Sequence, residues 1–179
     1  MVKEKLISRN EAILRIDPNS LDTLLHPTLD EKSEIKVIAK GLPASPGAVS
    51  GKVVFSSEEA ERLNGMMQNT ILVRVETSPE DIHGMHAAKG ILTSRGGMTS
   101  HAAVVARGMG RPCVSGSSEI NIDYENKLFK TDQIQVTEGE IITIDGSTGR
   151  IILGEVQTVK PEISGDFSKL MSWADSFRK

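Results

Sequence analysis

The residues in this 179-residue chain that could do chemistry sit together in Gly96-Gly97-Met98-Thr99-Ser100-His101. Ala102-Ala103-Val104-Val105-Ala106 follows and reads as the first turns of a helix, which Gly108 and Gly110-Arg111-Pro112 stop. A helix N-terminus carries unpaired N–H groups and partial positive charge, so it favours anions, phosphate above all. The same field disfavours imidazolium, so His101 is expected to stay neutral and nucleophilic near neutral pH. A neutral imidazole beside an anion site is what a phosphoryl acceptor needs. Gly96 and Gly97 let the backbone approach a bulky anion. Thr99 or Ser100 can cap the helix through its hydroxyl. Ala102 and Ala103 keep the first turn clear for a large partner group.

The charge pattern agrees. From Ile82 to Ser118 there is no Asp or Glu, where the acid frequency of the chain leads one to expect about five. The same stretch holds Lys89, Arg95, Arg107 and Arg111. An acid-free, mildly basic neighbourhood suits a phosphate dianion. Arg95 and Arg107 both lie where they can reach a phosphate, with Arg95 the favoured candidate.

The run from Gly96 to Arg107, GGMTSHAAVVAR, resembles the phosphohistidine signature of enzymes that use phosphoenolpyruvate (PEP). That group includes pyruvate phosphate dikinase, PEP synthase and Enzyme I of the sugar phosphotransferase system. The synthase and Enzyme I usually carry Arg at the position of Met98. Met98 to Gly110, with Leu24-Leu25-His26-Pro27 upstream, resembles the dikinase branch most closely. The resemblance implies an α/β fold, a swivelling β/β/α phosphohistidine domain with a β-rich side and flanking linker segments. It implies that His101 carries a pyrophosphoryl and then a phosphoryl group between two remote active sites. ATP, phosphate and pyruvate become AMP, pyrophosphate and PEP. It also implies Mg2+, bound mainly by other domains, and partners in the nucleotide-binding and PEP/pyruvate-binding domains of the same polypeptide. The full enzyme is expected to be a homodimer. In this family Thr99 is a candidate regulatory phosphorylation site, and Gly96, Gly97, Thr99, Ser100 and Arg95 form the expected phosphate environment. A carrier domain of the related synthase or Enzyme I type is the nearest alternative.

Readings from other classes weigh less. Ser100 cannot act with the adjacent His101 as a nucleophile–base dyad, because neighbouring helix residues point apart. His83 and His86, at i, i+3, could join His101 and Cys113 in a zinc site, yet no second cysteine or carboxylate cluster supports it. Cys113 reads as a buried strand residue. Thr99 is most simply the N-cap. Gly146-Ser147-Thr148-Gly149 is more simply a hairpin turn than an anion loop.

The elements that position the histidine follow from pattern. Residues 1–34 read as a helical linker, with short helices over Glu11–Ile16 and Ser20–Leu25. The compact domain is expected over 35–155. Gly41–Gly47 reads as a turn-rich loop that serves as one hinge, with Pro161 and Gly165 in the other. Val49–Phe55 and Thr70–Val75 read as strands, Ser57–Leu63 and Pro79–Ala88 as helices, and Ile91–Thr93 and Cys113–Ser115 as short strands flanking the histidine helix. Lys127–Lys130, Gln133–Val136, Ile141–Ile144 and Arg150–Leu153 predict a β-rich tail on an α/β body. Residues 156–179 read as a second linker whose amphipathic helix, Phe167–Phe177, faces a missing barrel domain.

Composition sets the bounds. Hydrophobic residues at 38% and charged residues at 25% are ordinary for a folded domain. Aromatics at 3% leave the core to Ile, Val, Leu, Ala and Met. A net charge of −3 argues against nucleic-acid binding. One cysteine excludes an intramolecular disulfide framework. No run reaches membrane-spanning length and no signal peptide is visible, so the cytoplasm is expected.

Overall fold

The computed structural model describes residues 2, 4, 6–17, 21, 25–30, 35–159 and 165–177. They fall into two units, Pro27–Val159 and the flanking stretches 1–26 and 160–179.

The larger unit starts with β1 (Thr28–Leu29), β2 (Val37–Lys40), β3 (Leu42–Ser45) and β4 (Ala48–Val54). Three β-helix-β steps follow: helix α2 (Ser57–Gly65), β5 (Thr70–Arg74), a 3-10 turn (Pro79–Asp81) running into α3 (Ile82–Ala87), β6 (Gly90–Thr93), α4 (His101–Met109) and β7 (Cys113–Ser115). Short strands complete it: β8 (Asn121–Asp123), β9 (Leu128–Lys130), β10 (Gln135–Thr137), β11 (Ile141–Asp145), β12 (Arg150–Leu153) and β13 (Thr158–Val159). Among the described residues eight of these strands form one sheet in the order β2-β12-β11-β4-β5-β6-β7-β3. Strands β4 to β7 are parallel, and the remaining pairs are antiparallel.

Side-chain alternation divides the core by sheet face. Ile71 and Val73 of β5 join Val53, Phe55, Leu92, Val114, Ile142 and Ile144 in one buried cluster. Phe129, Val136 and Ile120 cover it, and β8–β10 form a separate three-stranded sheet. Leu72, Ile91, Val54 and Cys113 face the other way, onto Ala60 and Leu63 of α2, Met85 and Ala87 of α3, and Ala102, Ala103 and Ala106 of α4. The layers are therefore sheet, sheet, helices. Thr70–Val73 is fully buried, which is why it reads as an unbroken apolar run and not as an alternation. The core is aliphatic as composition implies, except that Phe129 and Phe55 also belong to it.

The helix expected over Ser57–Leu63 forms as α2, and the expected hairpin turn forms as well. Ser56 caps α2, accepting from the Glu59 N–H at 3.2 Å, with Glu58 and Glu59 in the first turn. The 146–149 segment is the hairpin turn between β11 and β12.

Other expectations change. Gly41–Gly47 is not an open loop or a hinge. Leu42–Ser45 is the edge strand β3, paired with β7, and an edge tolerates Pro43. Both its flanks are tied inside the unit: Gly41 N–H donates to the Gly149 carbonyl and Gly146 N–H to the Gly47 carbonyl, each at 2.8 Å. The β-rich tail is not an appendage either. β11 pairs with the central β4 and β12 with β2, so both are part of the main sheet. The strand expected over Gln133–Val136 starts later because Thr131 Oγ1 accepts from the Gln133 and Ile134 N–H groups and turns the chain there.

In the second unit α1 (Arg9–Leu14) is capped by Ser8 and carries an Arg15–Glu11 ion pair of 2.8 Å. Helix α5 (Gly165–Phe177) has no buried residue, and the Arg9 guanidinium stands 5.5 Å over the Trp173 ring. The helix expected over Ser20–Leu25 rests largely on residues outside the described ones, as does Pro161. No described helix is long and apolar enough to cross a membrane.

Candidate active site

The parallel register places Arg74 of β5 beside Thr93 of β6. The segments that leave these strands therefore emerge side by side, at the carboxyl edge where open α/β sheets bind ligands. Residues 94–100 form the glycine turn, and α4 begins at His101. Ser100, not Thr99, is the N-cap: its backbone is extended and its Oγ accepts from the Ala103 N–H at 3.4 Å. Thr99 is exposed, and no hydrogen bond holds its hydroxyl among the described residues. Gly110, at φ 64°, ends the helix in the left-handed conformation that glycine adopts without strain.

His101 is half-buried, and its Nδ1 lies 3.0 Å from the hydroxyl of Thr77. Thr77 precedes His101 by 24 residues and belongs to the segment after β5. That segment is braced. The buried Asp81 carboxylate accepts from Ser78 N–H at 2.9 Å and from the Ser57 hydroxyl at 3.2 Å, and lies 3.4 Å from Arg74 Nε. Arg74 also donates to the Phe55 carbonyl at 3.0 Å. Asp81, the acid just before the acid-free stretch, is thus matched by a cation.

The two glycines of the pair differ. Gly96 has φ +108°, and a Cβ there would stand 2.9 Å from Ser100 Cβ. Gly97 faces open space, with nothing within 4 Å of an added Cβ. Beneath the turn three hydroxyls gather. Thr93 Oγ1 donates to the Arg95 carbonyl at 2.7 Å and lies 3.2 Å from Ser115 Oγ. Ser115 Oγ in turn lies 3.3 Å from Ser100 Oγ.

The arginines separate as well. Arg107 donates to the Ala44 carbonyl at 2.6 Å and to the Met98 carbonyl at 2.7 Å, strapping the turn to β3. It is a fastening of the site, not a free cation. Arg95 is exposed and lines a recess of about 330 Å³ with Ser94 and Ser118. Arg111 donates to the His86 carbonyl at 3.1 Å.

His83 and His86 are exposed on α3, and Cys113 is buried in β7. Among the described residues no three His, Cys, Asp or Glu side chains gather as a metal site. Burial pushes the Cys113 thiol up to about 12. A thiol so placed is neutral and unreactive at physiological pH.

Sequence reasoning passed over Thr77, Thr93 and Ser115. Thr77-Ser78-Pro79 was legible only as the approach to a helix. The one available signal was its position at the end of a strand parallel and adjacent to the strand before the glycine turn.

Residues 66–149 match the model of the family described as PEP-utilising enzyme, mobile domain. The chain is 59% identical over 179 residues to pyruvate, phosphate dikinase of Rhizobium meliloti (strain 1021), covering all of this chain and 20% of that protein. It is 53% identical over 180 residues to the Clostridium symbiosum protein of that name, covering 99% of this chain and 21% of the relative. Identity with chloroplastic pyruvate, phosphate dikinase 1 of Arabidopsis thaliana is 52% over 181 residues, all of this chain and 19% of the relative. The chain thus spans about a fifth of the length of these relatives. The histidine helix lies within the matched residues, so the segment that holds it is similar to the PEP-utilising enzyme mobile domain.

Proposed function

We propose that this chain is the phosphoryl-carrier segment of a pyruvate, phosphate dikinase, with His101 as the residue that accepts and delivers the group. One observation carries the reading: a half-buried imidazole at the start of α4 whose Nδ1 is 3.0 Å from a threonine hydroxyl. With Nδ1–H donating to Thr77 Oγ1, the lone pair sits on Nε2, the nitrogen left for nucleophilic attack.

In the forward direction Nε2 attacks the β-phosphorus of ATP. The bond from that phosphorus to the α–β bridging oxygen breaks, and AMP leaves. Inorganic phosphate then attacks the terminal phosphorus of pyrophospho-His101, the bond from that phosphorus to the bridging oxygen breaks, and pyrophosphate is released from phospho-His101. At a second site the enolate oxygen of pyruvate takes the remaining phosphoryl group, forming PEP and restoring neutral His101. The N-terminus of α4 favours the phosphate charge at each stage. Gly97 leaves room for it, and Thr99 and Arg95 stand exposed nearby as further contacts. Magnesium, when bound, neutralises phosphate charge. In this reading its protein ligands lie mainly on other domains of the polypeptide. Those domains, which hold the nucleotide and pyruvate sites, are the partners of this chain in a homodimeric enzyme of the cytoplasm. The swing between sites pivots on the flanking stretches outside the compact unit.

The test is to incubate the chain with magnesium, radiolabelled PEP and the remaining domains of the polypeptide. An acid-labile label should appear on wild type and be absent from His101→Ala. Label retained by His101→Ala, or found on His83 or His86, removes His101 from the role.

A further inference from the structure

Val75 is held on both sides of its peptide. Its carbonyl accepts from Arg95 N–H at 2.9 Å, which joins it to the glycine turn. Its own N–H donates to the hydroxyl of Tyr124 at 2.7 Å, a residue 49 positions later that projects from the turn between β8 and β9. That turn is itself rigidly built. Asp123 accepts from the Asn126 N–H at 3.0 Å and from its side-chain amide at 2.8 Å, and Lys127 is in the left-handed region at φ 50°. The Tyr124 ring is held too. The Arg74 guanidinium stands 5.2 Å from its centroid, and Phe55 meets it edge-on at 6.4 Å. The small sheet thus reaches over the end of β5 and fixes the first residue of the segment that carries Thr77.

We infer that Tyr124 is a positioning residue for His101: by accepting the Val75 N–H it sets the path of residues 75–78 and keeps the Thr77 hydroxyl on Nδ1. The hydroxyl is the part that matters. Without it the Val75 N–H faces an aromatic ring, and the segment is left to the Arg95 N–H on the Val75 carbonyl and to the contacts of Asp81. The inference deepens the carrier reading, on which its consequence for transfer rests. Its effect on the imidazole does not require transfer.

The experiment is performed on this chain, with the ring nitrogens of His101 read by NMR and assigned by their absence in His101→Ala. Wild type should show one tautomer, with the proton on Nδ1. Tyr124→Phe keeps the ring contacts, so its Tm should fall by less than about 4 °C, while the His101 ring should become a mixture of both tautomers. Thr77→Val should give a comparable mixture. The double variant should add nothing to Thr77→Val, because Tyr124 acts only through Thr77. Labelling by PEP should slow about tenfold in Tyr124→Phe, as expected for a slightly misplaced nucleophile. A ring spectrum in Tyr124→Phe identical to wild type overturns the inference, and so does a further change in the double variant. If the ring responds as expected but the wild-type chain takes no label from PEP with magnesium and the remaining domains present, the positioning role stands and the carrier reading falls.

Discussion

Two turns of this domain are built from the same ingredients. Gly96–His101 and Gly146–Gly149 each combine a pair of glycines with a Ser and a Thr. At 146–149 every ingredient is committed to the fold. Ser147 Oγ accepts from Gly47 N–H at 3.0 Å, and the Thr148 hydroxyl lies between Asp145 and Arg150. The buried Asp145 carboxylate sits at the centre with Arg150 at 2.9 Å. Both glycines are in backbone contact, for a Cβ at Gly146 would collide with the Ser45 carbonyl oxygen and one at Gly149 with that of Gly41. At 96–101 only half is committed. Gly96 and Ser100 build the turn, while Gly97, Thr99 and the helix N-terminus remain open. The two turns differ in what they leave unpaired, not in their composition.

The comparison is tested most strongly at Gly146. Gly146→Ala must move backbone atoms of β3 and β7, and it should cost more than about 4 kcal/mol. Thermal unfolding checks it, and a Tm within a few degrees of wild type would show that this turn is less committed than its contacts imply. Gly96→Ala should cost less, about 2 kcal/mol, from a strained φ and the crowded Ser100. Gly97→Ala should leave the Tm unchanged, because no protein atom meets the new methyl, while labelling of His101 should fall about tenfold if the proposed carrier uses this space for phosphate. Full labelling of Gly97→Ala would mean that this space is not used.

Thr99→Asp tests the open hydroxyl. A helix start accepts negative charge, so folding should be unaffected or slightly favoured. A charge at the phosphate position should nevertheless suppress most labelling of His101 by repulsion. Labelling at the wild-type rate would leave Thr99 without a part in transfer. The smallest effect belongs to Cys113. The folded protein should not react with a thiol alkylator at neutral pH. Its pH contribution has a definite sign. The unfolded thiol ionises near 9.0 and the folded one near 12, so unfolding is increasingly favoured as pH rises through that window. Cys113→Ala should remove this slope from the alkaline stability curve.

What the sequence discloses about this site is what is local in it. The glycine pair, the hydroxyl at the cap and the histidine beside it are neighbours in the chain, so their chemistry is legible together. Even so, which hydroxyl caps the helix depends on one backbone dihedral, and Thr99 and Ser100 are indistinguishable by type. Thr77 is not local. It meets His101 because β5 and β6 are parallel and in register, a fact of pairing between strands. Gly41–Gly47 fails for the same reason. Its composition is that of a loop, but β7 and the distant 146–149 turn supply partners that make it a strand. Arg107 looks like a phosphate ligand until the carbonyls of Ala44 and Met98 are found at its guanidinium.

The long reach of β11 has a consequence for synthesis. A ribosome that has completed β7 has made the histidine turn, its helix and the four parallel strands. At that moment Val53, Ile71, Val73 and Leu92 line a face whose cover, Phe129 and Val136, and whose sheet neighbours, Ile142, Ile144 and Ile151, are not yet translated. The nascent chain therefore displays its chemistry before it can bury half its core, and a stall after β7 would leave a sheet that is finished on its helical side and adhesive on the other.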